Sequence, residues 1–245
     1  MNGERNKYLL NSTLIMALAL VVSSAVLGWS YAHAKKGDEA ITVTGSAKKR
    51  IKSDLVVWSA GVTTQSSSVA EAYKQLLPQI GKIKEYLVNK GVPEAQMTVS
   101  SVTTTPQKRT DRDGIETSDV TGYSLTQRIE VRSTDVDRIG QIAREATELL
   151  NQGILIESNP PEYYYTKIGD LKVEMLGEAS KDAKERAEKI AGSTGNSIGA
   201  VRSARMGVLQ ITPPDSTEVS DSGMYSTTTI DKDITAVVNI SFGVN

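Results

Sequence analysis

The stretch that decides the fold is Gly122–Gly153, GYSLTQRIEVRSTDVDRIGQIAREATELLNQG, because its hydrophobic period changes partway along. Tyr123, Leu125, Gln127, Ile129 and Val131 fall on one face of a strand, and Thr126, Arg128, Glu130 and Arg132 fall on the other. This is the two-residue alternation of a half-buried sheet. From Val136 the spacing becomes helical, with Ile139, Ile142, Ala143, Ala146 and Leu150 on one stripe. A strand and a helix of this kind each bury one face only, so the pair requires a layer of helices on a sheet.

The same reading extends outward. Ala40–Ala47 is expected as a strand, with Ile41 and Val43 flanking Thr42. Asp54–Gln65 is a second strand, with Val56, Trp58, Ala60 and Val62 on one face. A helix is expected over Ser68–Asn89, opened by a Ser68/Glu71 capping box and closed by Gly91. Its stripe is Val69, Ala72, Tyr73, Leu76, Ile80, Ile83 and Leu87, and Pro78 inside it should bend or split it. Gln96–Thr105 reads as a strand, and Pro106–Thr121 as a polar segment turning at Asp113-Gly114. Strand character returns at Ile154–Glu157, breaks at Pro160-Pro161 and resumes over Tyr163–Ile168. A long helix from Asp170 to Ala191 follows, with a stripe of Leu176, Ala179, Ala183, Ala187 and Ile190. Ile198–Thr212 is expected as a strand and Pro213–Thr229 as an exposed Ser/Thr/Gly-rich loop. The last strand carries Ile234, Ala236, Val238, Ile240 and Phe242 on one side. No solenoid-type repeat is visible. Hairpins mixed with long helices give α+β, with mainly antiparallel sheet, rather than a doubly wound parallel sheet.

The chain has 245 residues, 39% apolar and 23% charged, with a formal net charge of -1. That size supports one large or two small cores, and the charge balance argues against a nucleic-acid partner. Cysteine is absent and the only histidine is His33. Thiolate chemistry and disulfides are therefore excluded, and the body of the chain lacks the commonest general base.

The N-terminus has its own logic. Arg5 and Lys7 precede an uncharged run from Tyr8 to Ala34, which Lys35 and Lys36 close. The run is long enough to cross the roughly 30 Å hydrocarbon core. Tyr8 falls at one interface, and Trp29 and Tyr31 at the other. Residues 1–36 are accordingly expected to act as a signal or anchor: a short cytoplasmic tail, a transmembrane helix contacting lipid through residues 8–34, and a linker. The alternative is cleavage after Ala34 at the Ala32-His33-Ala34 site, releasing residues 37–245 to the periplasm or medium. Both readings put residues 37–245 outside the cytoplasm.

Few constellations carry chemistry. Asp111, Asp113 and Glu116 around Gly114 share only part of a calcium-loop pattern, and a solvated turn is the expectation. Tyr163, Tyr164 and Tyr165 alternate faces in a strand, so at most two share a side. Ser66–Ser68 read as helix caps rather than nucleophiles. Asp231, Lys232 and Asp233 are expected at a solvated strand end. The mixed charges from Lys181 to Lys189 read as an exposed, ion-paired helix face. No catalytic, cofactor or metal residues are assigned.

Several segments together resemble the SIMPL-domain family of bacterial exported proteins, which includes the periplasmic immunogenic proteins. They are Ile41–Gly45, Gly61-Val62, Gly91-Val92 before Met97, Gly122-Tyr123 with Ile129–Val131, and above all Ala179–Gly195 (ASKDAKERAEKIAGSTG) followed by Ile198-Gly199. The resemblance implies two intertwined α+β subdomains over residues 37–245, export to the bacterial envelope, and self-assembly into large hollow or ring-like homo-oligomers. It also implies a link to envelope integrity and oxidative-stress tolerance, and brings no catalytic residues. The leading expectation is a non-enzymatic, self-assembling, membrane-anchored envelope protein. The alternatives are an extracytoplasmic module binding a ligand or partner through Pro213–Thr229 or Tyr163–Tyr165, and a metal-free hydrolase using carboxylates or lysine.

Overall fold

The structure, a computed structural model, describes residues 16–30 and 39–245. Residues 16–30 form a helix, α1. No helix among the described residues is long and apolar enough to cross a membrane. The expected span of residues 8–34 lies partly outside the described residues, as do His33 and the Ala32-His33-Ala34 site.

Residues 39–245 fold as α+β in two compact units between which the chain passes repeatedly. One unit holds Lys48–Met175 and Val208–Thr235; the other holds Leu176–Gly207, Ala236–Asn245 and, of residues 39–245, those before Lys48. Three long elements contribute to both: strand β1 (Ala40–Lys52), helix α4 (Ile168–Ser193) and strand β11 (Asp231–Val244).

The larger unit is built on β2 (Leu55–Ser66). On one side β2 pairs antiparallel with β5 (Glu116–Ser133), from Val56 opposite Ser133 to Ser66 opposite Tyr123. On the other it pairs with two short strands, β6 (Ile156–Ser158) and β7 (Glu162–Tyr164). β5 also carries β3 (Met97–Val99) and β4 (Thr103–Thr110). Helices α2 (Val69–Asn89) and α3 (Val136–Glu145) lie against this sheet. The alternation in β2 sends Val56, Trp58, Ala60 and Val62 into the core, where they meet Leu76, Ile83 and Leu87 of α2 and Ile139 and Ile142 of α3. Each of the valines, leucines and isoleucines contributes about 1.5–3 kcal/mol by leaving water. The buried Trp58 indole N–H is not orphaned, since it donates to Ser158 Oγ at 3.1 Å.

Several expectations shift in this unit. Ser68 is the N-cap of α2, but its side chain makes no capping bond. Val69 and Tyr73, placed on the buried stripe, are exposed. Pro78 sits inside α2 without splitting it. The helix stops where the pattern said: Gly91 takes φ +79°, its N–H donates to Val88, and the N–H of Val92 donates to Leu87. The Gln96–Thr105 strand is two strands. The polar Pro106–Thr121 segment does turn where expected, at Asp111–Gly114, and most of it is strand in the β4–β5 hairpin. After α3 the chain tightens into a 3₁₀ segment, Ala146–Gln152. With three residues per turn, Leu149 follows Ala146 into the core and Leu150 turns outward.

In the smaller unit the last part of β11 pairs with β8 (Ile198–Met206), which is expected sequence strand 198–212 cut short at Gly207. Val238, Ile240 and Phe242 are buried, as are Ala179, Ala183, Ala187 and Ala191 of α4. These alanines recur every fourth residue, so Ala191 rather than Ile190 closes the row, and Ile190 is exposed. Gly45 of β1 lies against them. A Cβ there would meet the Ala179 carbonyl oxygen and stand 2.5 Å from the Ala183 nitrogen. The alanine row and Gly45 thus permit a strand–helix approach that larger side chains forbid.

Candidate functional site

The face of the large sheet opposite α2 and α3 is where chemistry collects. Directly paired residues on adjacent strands share a face, so the register of β2 writes out this surface. Gly61 is flanked by Arg128 and Glu157, Ser59 by Glu130, and Val57 by Arg132 and Glu162. Arg128 and Glu157 pair at 3.1 Å. The Glu130 side chain has no hydrogen-bond or ion-pair partner among the described residues.

A groove of about 500 Å³ opens on this face. It exists because the strand beside β2 is interrupted. β6 ends at Ser158, Asn159-Pro160-Pro161 leaves the ladder, and β7 resumes at Glu162. Proline has no N–H to give the ladder. Asn159 still grips β2, its N–H donating to Ser59 O at 3.0 Å and its Nδ2 to Ser59 Oγ at 2.8 Å. Val57, Ser59 and Glu130 line the floor, Asn159–Glu162 one wall, and Thr227 and Thr228 the other.

The two stretches singled out as binding candidates meet at the rim of this groove. Tyr163 N–H donates to Thr227 O at 2.8 Å. Tyr164 stacks on Tyr225, with centroids 6.4 Å apart and rings 29° from parallel. The Tyr225 hydroxyl accepts from Tyr165 N–H at 3.1 Å. Tyr225 belongs to β10 (Met224–Tyr225), which pairs parallel with β9 (Gln210–Thr212), so the 213–229 segment is anchored rather than a free loop. The tyrosines alternate as expected: Tyr163 is buried, and Tyr164 turns outward to donate to Glu162. Burial pushes the Tyr163 phenol up, and the bond to Glu162 pushes the Tyr164 phenol up.

The expected solvated strand end at Asp231–Asp233 is wrong for two of its three residues. Asp233 is 2% exposed and Lys232 0%. Asp233 accepts from Arg50 Nε at 2.9 Å, from the Asp215 backbone N–H at 3.0 Å, and from Lys48 Nζ at 3.0 Å. Arg50 also reaches Asp215 at 2.8 Å. Chiefly through Arg50, these partners hold the Asp233 carboxyl well below its ordinary range. The cluster ties the Pro213–Asp215 turn, with Asp215 at φ 60°, to β1 and β11. Lys232, one residue before, falls on the other side of the strand and donates to Thr229 O at 2.6 Å. Burial lowers its amine from 10.5 to about 8. Neither burial is readable locally, because both depend on which strand lies alongside.

The other candidates take structural parts. Asp111 Oδ1 accepts the N–H groups of Asp113 and Ile115, which closes the hairpin turn. No cluster of three metal-ligating side chains occurs among the described residues. The Lys181–Lys189 face is exposed and ion-paired, Asp182 with Arg186 at 2.9 Å and Lys184 with Glu188 at 3.7 Å.

The large sheet thus carries a polar groove where the strand beside β2 is interrupted. The family can be stated outright. Residues 41–242 match the SIMPL family, described as a protein of unknown function (DUF541), and the chain belongs to it. A search among curated proteins returns no match. Among solved structures, the ligand-free regulatory subunit of aspartate kinase from Thermus thermophilus is similar at 13% identity, over 80% of this chain and 87% of that one, with a TM-score of 0.19.

Proposed function

We propose that the protein is a non-enzymatic binding module of the bacterial envelope, held at the membrane through residues 8–34 with residues 37–245 outside the cytoplasm. The observation that supports binding is the groove, where an unpaired Glu130 lies beside Glu162 with hydroxyls and an amide around them. Two carboxylates and no lining cation make a recess suited to an amine or guanidinium on an aliphatic stem. Val57, Pro160 and Pro161 give that stem apolar contact. The test is a thermal-shift panel of amine-bearing, acidic and neutral sugar or peptide compounds on the full chain in detergent. An amine-bearing compound should raise the melting temperature, and Glu130→Gln and Thr228→Trp should each remove the shift. A panel in which no shift depends on either variant refutes the reading.

Self-assembly into a ring or hollow particle is the second reading. Among the described residues β8 pairs only with β11, leaving its outer edge unpaired with Val201 and Met206 exposed. An open edge is a template for another chain. Light scattering on the detergent-solubilised full chain tests it, and a monomer at micromolar concentration rules it out. Anchoring is tested separately by sequencing the mature N-terminus, since a start at Lys35 removes the anchor. The tie to envelope or oxidative-stress tolerance is tested by peroxide survival of a deletion strain.

A further inference from the structure

Two rows on the outer face of the large sheet have the same plan and different outcomes. In one, Glu157 and Arg128 flank Gly61 of β2; in the other, Glu162 and Arg132 flank Val57. In each, the acid and the base stand on the strands either side of β2, about 10 Å apart at the backbone. Over Gly61 they close into an ion pair at 3.1 Å. The Arg128 stem does so by lying across the glycine, where a Cβ would stand 2.7 Å from Arg128 Cγ. Over Val57 that path holds a branched side chain. Arg132 there has no hydrogen-bond or ion-pair partner among the described residues, and the Glu162 carboxylate meets only the Tyr164 hydroxyl.

The open row runs past the groove. Val57 and Glu162 line it, and Glu130, its other carboxylate, is two residues before Arg132 on the same face of β5. The Tyr164 phenol, pushed up first by its bond to Glu162, is drawn partly back by the Arg132 charge, so the guanidinium bears on this corner. A recess suited to an amine therefore has an unanswered cation just beyond it, with an apolar divider between the two. What completes the row is a molecule that spans Val57 with a positive end and a negative end.

We infer that the groove takes an ω-amino acid, with its amine at Glu130 and Glu162, its aliphatic stem on Val57 and its carboxylate on the Arg132 guanidinium. This inference rests on the amine-binding reading above and adds the second charge of the ligand. The experiment is isothermal titration calorimetry of the full chain in detergent with three compounds of one stem: ε-aminocaproate, hexylamine and hexanoate. ε-Aminocaproate should bind at least about tenfold tighter than hexylamine, because a charge-assisted guanidinium–carboxylate contact is added. Hexanoate should bind weakest, since it meets two carboxylates with no amine. Arg132→Gln should bring ε-aminocaproate down to the affinity of hexylamine and leave hexylamine itself unchanged. Arg132 is exposed, so the variant should fold. Arg112→Gln, at the hairpin turn, should leave the preference intact. Equal wild-type affinity for ε-aminocaproate and hexylamine, or a preference that survives Arg132→Gln or is lost equally in Arg112→Gln, overturns this inference and leaves the amine groove standing. Hexanoate binding as tightly as either amine, or no binding by either amine, overturns both.

Discussion

Replacing Lys232 by methionine should make this protein more stable at neutral pH, although it deletes a buried hydrogen bond. The lysine is wholly buried and its amine titrates near 8 instead of 10.5. At about 1.4 kcal/mol per tenfold change in an equilibrium, that fall corresponds to about 3 kcal/mol by which burial disfavours the charged form. The folded-state value lies below the unfolded one. Between about pH 8 and 10.5 the unfolded chain therefore binds the extra proton, and stability rises with pH across that window. Below pH 8 both states are protonated and the full cost is present. Methionine keeps the volume and removes the charge but abandons the bond that the charged amine donates to Thr229 O, worth about 2 kcal/mol. The net expectation at pH 7 is a gain of about 1 kcal/mol. Urea unfolding of the full chain in detergent at pH 7.0 and 9.5 measures it as a higher midpoint at unchanged slope. The advantage of the variant should shrink at pH 9.5, where wild-type Lys232 folds largely neutral. A variant less stable at pH 7, or one whose advantage is equal at both pH values, would falsify the burial argument.

Asp233→Asn should cost about 2 kcal/mol at pH 7, because it weakens charge-assisted bonds to Arg50, Lys48 and the Asp215 N–H. The carboxyl is held low in the fold, so its contribution is complete above about pH 4 and lost as pH falls through the folded value. Melting temperatures from pH 2 to 7 should accordingly show a shallower acid limb in the variant. Gly45→Ala should cost about 3 kcal/mol or more, since the new methyl meets the α4 main chain, which cannot step aside as a side chain would. Calorimetry should show a melting temperature lower by about 6–12 °C, at about 2–4 °C per kcal/mol for a protein of this size. Leu149→Ala should cost about 3 kcal/mol and Leu150→Ala under about 1, as read from urea midpoints. Equal losses would mean that Ala146–Gln152 is an ordinary α-helical turn.

Legibility followed amphipathicity. β2 and β11 were readable because Val56–Val62 and Ile234–Phe242 each alternate between a buried and a wetter face. Of the β4–β5 hairpin only the turn at Asp113-Gly114 was readable; the extent of its strands was not, because its outer half is exposed on both faces and offers no hydrophobic period. Threonines at Thr103–Thr105, with the carboxylate of Asp111 closing the turn, hold it by strand propensity and backbone bonding. A 3.6-residue period sets Leu150 on the buried stripe, but Ala146–Gln152 folds with three residues per turn and turns it outward. Ser68 kept its place at the helix start and lost its expected bond, so a cap motif locates a boundary more reliably than it supplies a contact.

The groove shows why a site can be invisible when every strand around it is visible. Alternation assigns Ser59 and Glu130 to outward faces, but only pairing makes them neighbours, and pairing is set by strands far apart in the sequence. The local clue was Pro160-Pro161, two residues unable to donate to a ladder inside a segment that otherwise reads as strand. A break there means a gap beside whatever strand lies next to it. Only the identity of that neighbour was missing. Once β2 is that neighbour, Glu162 opposite Val57 and Glu130 opposite Ser59 must stand on the same side of the sheet. The Tyr163 bond to Thr227 then supplies the far wall by bringing in a segment sixty residues downstream in round terms, about the separation that local patterning never reaches.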